Sequence, residues 1–284
     1  MGNNCECLQH RGEKTVSLDD LAGGSLATSE AFPAASGSEG RQHPQFVYKN
    51  GATYTGEWQG SQRHGHGVQV SADGAKYVGQ WVNDKAEGRG RFEHVDGDIY
   101  EGQWFNDMAH GQGVYNHADG SKYEGQWKED KQHGTGTEHW PDGAMYIGLY
   151  KDGRKNGHGR FTWADGSCYE GEFVDNDIHG NGVYEWEDKR RYEGQWSENK
   201  MHGEGYFTWQ DKRSYKGQYV NDQKHGEGSF QWPDGRSYTG QWKDGQQHGT
   251  GTYKSATGET RTGEWEEGRR TRWSEERNSK KLTA

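Results

Sequence analysis

The chain has little of what a thick globular core is made from. Only 28% of its 284 residues are hydrophobic, and Phe, Trp and Tyr alone make up 13%, so aromatic rings are nearly half of the apolar supply. That shortage excludes an interior of packed Leu, Ile and Val, but not a thin sheet held by aromatic side chains. Long hydrophobic runs are missing as well. With no apolar stretch of about 18 residues and no signal-peptide h-region, the sequence predicts neither a membrane-spanning helix nor entry to the secretory route by that signal. Three cysteines, Cys5, Cys7 and Cys168, are too few for a disulfide framework, and the cytosol is the simplest compartment. The net charge is −10, with three basic and six acidic side chains in residues 1–45. Beyond Arg269, Arg270 and Arg272 there is no basic cluster of the kind that nucleic acid requires.

What the chain has instead is glycine, 46 residues of it, and a strict period of 23. The pentapeptide Tyr123-Glu124-Gly125-Gln126-Trp127 recurs with its anchor at Tyr54, Tyr77, Tyr100, Tyr123, Tyr146, Tyr169, Tyr192, Tyr215 and Tyr238, then at Arg261 in a degraded tenth copy. Counting the anchor as position zero, Gly stands at position 2 and an aromatic at position 4, from Trp58 to Trp265. A His-Gly-x-Gly element follows, such as His110-Gly111-Gln112-Gly113, and each copy closes on a turn such as Asp119-Gly120. A period of this length marks a repeat architecture in which no single copy buries its own apolar face.

Tyr-x-Gly-x-Trp, His-Gly-x-Gly and Asp-Gly in a 23-residue frame resemble the MORN repeat, and the resemblance runs over residues 46–273. It implies an all-β fold, an elongated single-layer array of stacked antiparallel β-hairpins. It also implies use as a scaffold or adaptor near membranes, at cytoskeletal structures and in cilia. Some family members join the array to a catalytic domain, for which this chain has no room.

Within a copy the large residues fall at alternate positions: 0 and 4 in the first half, then an aromatic at 15 and, in the middle copies, Trp at 17. Spacing by twos is strand spacing, so each copy reads as two short strands whose aromatics share one face and whose intervening polar residues face water. An antiparallel register that sets position 0 opposite 17 places 2 opposite 15 and 4 opposite 13, giving every glycine a large ring across from it. The alternative for position 13 is a bulge that needs positive φ. The Asp-Gly pairs are turn signals in which glycine takes the left-handed place. Asp188-Lys189 and Asp211-Lys212 lack that glycine, so those turns are expected to be looser or of another type.

The ends follow the same frame. Phe46, Tyr48 and Asn50-Gly51 occupy the second half of a copy, so residues 46–51 form a half-hairpin cap, and 274–284 form a charged tail. Atypical terminal copies guard a repeat array against end-to-end association. Residues 1–45 are a leader, rich in Gly, Ala and Ser, that reads as a disordered tether. It opens Met1-Gly2-Asn3-Asn4-Cys5-Glu6-Cys7, which resembles the N-termini of doubly acylated peripheral proteins: Gly2 for myristoylation, Cys5 and Cys7 for palmitoylation. Glu6 departs from that pattern, where Ser or Thr is expected. The other reading is a commonplace Met-Gly start with cysteines paired by chance or as a loose metal or redox pair.

Seven copies carry His at position 10, from His64 to His248. Equivalent positions in successive hairpins are two strands apart, about 9.5 Å, whereas zinc ligands sit about 2.0–2.1 Å from one ion. The column is therefore read as backbone-bonding histidines and not as a metal centre. No paired carboxylates, Cys/His couple, nucleophile elbow or phosphate-cradling loop stands out from the repeat. Neither an enzyme, a cofactor, a small-molecule substrate nor a nucleic-acid partner is expected.

What remains is the aromatic face. Its candidate partner groove is Trp140, Trp163, Trp186, Trp196, Trp209, Trp232 and Trp242, open to a helical or extended segment of another protein or to a second copy. The alternative is that the rings pack only against each other. The leading expectation is a scaffold at the cytoplasmic face of a membrane, plasma or internal, held by acyl chains. A non-acylated component of a cytoskeletal or ciliary assembly is the second. A phospholipid head-group module is the third, and the acidic array weighs against it.

Overall fold

The computed structural model describes residues 44–274; the leader and its Gly2, Cys5 and Cys7 lie outside the described residues, as does most of the tail. Twenty-one strands form an open antiparallel sheet of hairpins, and no helix occurs among the described residues. The chain divides at Phe161/Thr162 into two units, each with the same internal plan.

In the first unit, strands Lys122–Lys128 and Lys131–His139 make a representative hairpin. A two-residue turn joins them, with both Glu129 (φ 50°) and Asp130 (φ 63°) in the left-handed region. That backbone matches the natural twist of the flanking strands. Position 7 also fastens each hairpin to the one before it. The Asp130 N–H donates to Ala109 O, and the Asp130 carboxylate accepts from Ala109 N at 2.7 Å. Asp107 does the same at Ala86, and Asn199 at Ile178 in the second unit.

The register differs from the expected one by two residues. Tyr123 faces Glu138 at position 15, and Gly125 faces Gly136. Between copies Gly113 faces Gly125 and Tyr115 faces Tyr123. Glycine therefore lies opposite glycine, in a column that runs Gly102, Gly113, Gly125, Gly136, Gly148. The same column runs from Gly182 to Gly263 in the second unit.

The reason is the anchor tyrosine, which lies along its own strand over the paired glycines. A Cβ on Gly125 would stand 2.6 Å from both Tyr123 Oη and Gly136 Cα. Its hydroxyl donates to Gln126 O at 2.9 Å. Two bare Cα atoms make the floor for one ring, so glycine contributes more as space than it costs in strand entropy. The nine anchors are fully buried. Each meets the position 4 ring of its own copy edge-on at 5.0–5.3 Å. Tyr123 also meets Tyr150, and Tyr192 meets Tyr219, from the following copies. Such pairs add about 0.5–1.5 kcal/mol each beyond burial.

Positive φ belongs to the first glycine of His-Gly-x-Gly, not to position 13. The register jumps after Gly125, so that Gln126 faces His133, leaving Gly134 (φ 60°) and Thr135 as the bulge. The Gln126 side chain closes it, Oε1 accepting from Thr135 N at 2.8 Å. The same clamp joins Gln80 to Arg89 and Gln195 to Glu204.

The candidate partner surface

The described structure sorts the expected groove residues into two groups. Trp196 and Trp242, at position 4, are buried beneath the sheet's own rings, and their indole N–H groups donate to Gly182 O and Gly228 O. They belong to the core and offer no open surface. Trp140, in the first unit, is also buried, stacked 5.3 Å from Phe161. Trp163, Trp186, Trp209 and Trp232 are half-buried, each at position 17 on the closing turn.

These four are held in one arrangement. Trp186 N donates to Arg190 O and Lys189 N to Trp186 O, both at 2.9 Å, and the Trp209 and Trp232 turns repeat those bonds. Lys189 (φ 66°) and Lys212 (φ 69°) take the left-handed place that glycine fills elsewhere. The two glycine-free turns are thus neither looser nor of another type, because the bonds at position 17 fix the backbone whatever residue follows. Rings connect the turns into a ladder: Trp163 to Tyr184 at 5.0 Å, Trp186 to Phe207 at 5.3 Å, Trp209 to Phe230 at 5.5 Å. Within a copy Tyr184 meets Trp186, Phe207 meets Trp209 and Phe230 meets Trp232 at 4.3–4.6 Å. Ser255 ends the series, having no ring to continue it.

Arginines that the sequence reading passed over brace the ladder. Arg190, Arg213 and Arg236 place their guanidinium carbons 5.3–5.5 Å from the rings of Trp186, Trp209 and Trp232. Each also pairs at 2.7 Å with the turn's Asp188, Asp211 or Asp234. The hydrogen bond from Arg190 holds the Asp188 carboxyl below its usual range. The signal was in the sequence: position 21 is Arg in three consecutive copies, those with Trp186, Trp209 and Trp232 at 17.

Lys224 is the other unforeseen group. Its Nζ lies 4.8 Å from the Trp242 ring, 5.3 Å from Phe230, 5.7 Å from Tyr215 and 5.9 Å from Trp209. Burial, and then the nearby Arg213 charge, push its ammonium pKa down. The counterpart in the first unit, Lys155, has an acid at hand, Glu138 at 3.2 Å.

The histidine column does not bond backbone through its rings. Position 10 faces away from the anchors, and the buried Nδ1 atoms of His64, His110 and His133 have no hydrogen-bond partner. The histidine carbonyls do the bonding instead, accepting from Tyr169 and Tyr238 hydroxyls at His179 and His248. Among the described residues no cluster of His, Cys, Asp or Glu is placed to hold a metal.

The MORN repeat model matches nine consecutive segments, the first 54–76 and the last 238–260. The chain belongs to the MORN repeat family. The anchor column, the glycine floor and the closing turns described above are thus its repeat frame, and the family's repeat-scaffold character applies to this MORN array. A hairpin of strands Thr260–Glu266 and Arg269–Trp273 follows the last matched segment. A comparison with curated proteins gives no match. Among solved structures, the chain is similar to the TCP10 domain of Danio rerio CPAP in complex with a peptide of Danio rerio STIL. That likeness has 14% identity, TM-score 0.30, and covers 76% of this chain and 96% of that one. It is similar also to the SAS-4 (dCPAP) TCP domain of Drosophila melanogaster in complex with a proline rich motif of Ana2, with 10% identity, TM-score 0.31, and 76% and 99% coverage. A virginiamycin B lyase from Staphylococcus aureus gives 8% identity, TM-score 0.16, and 78% and 83% coverage. At these values the likenesses assign nothing to this chain.

Proposed function

We infer that this MORN array is a non-enzymatic scaffold that captures a protein partner on the half-exposed ladder Trp163, Trp186, Trp209 and Trp232. One observation carries the reading. Four large rings stand at equivalent turn positions, partly open to solvent and fixed by backbone bonds, three of them braced by arginines as well, while the anchor rings are fully buried. Rigid, partly exposed indoles on a polar surface are what interface hot spots are made from. The test is proximity labelling in cells with wild type and with Trp186→Ala plus Trp209→Ala, the folded state checked by circular dichroism. The double variant is expected to lose a specific set of neighbours. An unchanged neighbour set from a folded double variant rules the ladder out as the capture surface.

The location proposed for the scaffold is the cytoplasmic face of a membrane, through acylation of Gly2, Cys5 and Cys7. Support comes from the leader sequence alone. One myristoyl chain gives an association constant of only about 10⁴ M⁻¹, and the leader has no polybasic patch as second signal, so Cys5 and Cys7 have to supply it. Gly2→Ala is expected to move the protein fully to the soluble fraction, and Cys5→Ser with Cys7→Ser to leave a partial, exchanging membrane fraction. Retention of Gly2→Ala on membranes rules out the acyl anchor.

A further inference from the structure

The ladder has a pitch, and the pitch selects a backbone. Trp163, Trp186, Trp209 and Trp232 recur once per hairpin, two strands apart, so successive indoles are about 9.5 Å from each other. A ligand that docks on all four must present the same face at that interval. A β-strand repeats its face every two residues, at about 6.6 or 13 Å. An α-helix returns after seven residues at about 10.5 Å, a mismatch that grows to roughly 3 Å from the first rung to the last. Polyproline II repeats its face every three residues at about 9.3 Å, and stays within about 0.6 Å over the same length. Proline suits the rungs chemically as well. It has no N–H to strand over an apolar ring, and its fixed φ removes much of the ordering cost of binding.

A second feature lies beside the Trp209–Phe230 step. Lys224 stands within 6 Å of four rings, and no carboxylate pairs with it among the described residues. An acidic side chain from a ligand would meet a cation that the described residues leave uncompensated.

We propose that the ladder seats a proline-rich segment of a partner protein in polyproline II conformation, with proline at every third residue and an Asp or Glu between prolines opposite Lys224. The proposal rests on the scaffold reading and names the partner's chemistry. It is tested on the full chain by calorimetry with capped 12-residue peptides. The first carries four prolines at three-residue spacing and one Glu. A second has the same composition with the prolines at two-residue spacing, and a third is an amphipathic helix with apolar residues at heptad spacing. The first is expected to bind at least tenfold more tightly than the others, and Trp186→Ala with Trp209→Ala to abolish the difference. Lys224→Met is expected to weaken the Glu peptide several-fold while leaving its Gln counterpart unchanged. Equal affinity for the two proline spacings overturns the proposal without using any variant, as does preference for the helix or failure of all three peptides to bind. If the cellular neighbours depend on the ladder but the proline spacing has no effect, the scaffold reading stands and this one falls. If the neighbours do not depend on it, the scaffold reading falls.

Discussion

The two units share a core and differ at its rim. Both stack anchor tyrosines over paired glycines, with Tyr123 over Gly125 and Gly136 in one and Tyr192 over Gly194 and Gly205 in the other. Position 17, which begins the closing turn, is Ser71, His94, His117 and a buried Trp140 in the first unit, and half-buried Trp163, Trp186, Trp209 and Trp232, then Ser255, in the second. Position 21 is Ala75, Asp98, Ser121 and Ala144 in the first unit, and becomes Arg in the second only after Ser167, at Arg190, Arg213 and Arg236. In the first unit the rim is knitted by a buried acid. Asp98 accepts from the Tyr115 hydroxyl at 2.9 Å and from Ala118 N at 2.8 Å, and His117 Nδ1 lies 3.2 Å away. In the second unit the same place carries stacked rings braced by surface ion pairs. The frame residues decide that there is a sheet; the residues free of the frame decide what each stretch of it can touch.

If the core is common, conditions that attack it should take both units together. Burial, and then the Glu227 charge, push the Tyr238 phenol from 10 up to about 12, and the other anchors shift the same way. A folded-state pKa above the unfolded value gives stability that is complete below pH 10 and is lost as pH rises toward 12. Alkaline titration followed by near-ultraviolet circular dichroism should therefore show both units unfolding between pH 10 and 12. A transition confined to one unit in limited proteolysis would break the comparison.

Next in size is the glycine floor. Gly136→Ala and Gly205→Ala each place a methyl group against the ring of Tyr123 or Tyr192, and those rings are locked edge-on between neighbours. Overpacking of this kind costs about 1–3 kcal/mol, and the upper end is expected in both units by urea denaturation. Asp98 separates the units again. Asp98→Ala leaves the Tyr115 hydroxyl and Ala118 N without their buried acceptor, a loss of about 2 kcal/mol, whereas Arg190→Ala removes only an exposed pair and should barely change the transition. Equal effects would mean that the arginine braces are structural, and would sharpen the comparison in the opposite sense.

Much of the fold was legible because it repeats. The period of 23, the anchors, the strand spacing and the Asp-Gly turns all hold in the structure, since each reflects a local rule applied at every copy. The register was not legible. Opposing glycine to a ring across the sheet is sound packing, but Tyr123 satisfies its glycines from within its own strand by lying flat, and alternation alone cannot distinguish the two. The clamp at position 3 was visible as a run of Gln and Glu and was read as a solvated face, because a hydrogen bond to a bulge requires knowing where the bulge is. Of the expected groove, Trp163, Trp186, Trp209 and Trp232 lie at the rim. Trp196 and Trp242 lie in the core, because position 4 points to the buried face at every copy. Arg190 and Lys224 went unnoticed because neither departs from the composition of a polar surface.

The smallest effect expected lies in the turns that first looked irregular. Lys189 and Lys212 hold φ of 66° and 69°, a conformation that costs a residue with a side chain about 1 kcal/mol relative to glycine. Their exposed side chains contribute little in return, Lys189 meeting only Glu185 at 3.1 Å. Replacing both with Gly, the residue used at Gly166 and Gly235 in the same unit, should relieve that strain while leaving Trp186 and Trp209 where they are. Part of the gain is offset because glycine also loosens the unfolded chain. The net expectation is a rise of about 2–4 °C in the thermal midpoint for each kcal/mol recovered in a chain of this size, with peptide affinity at the ladder unchanged. A fall in the midpoint would mean that the lysines are held by more than the turn, and a loss of affinity would place them in the partner surface beside the tryptophans.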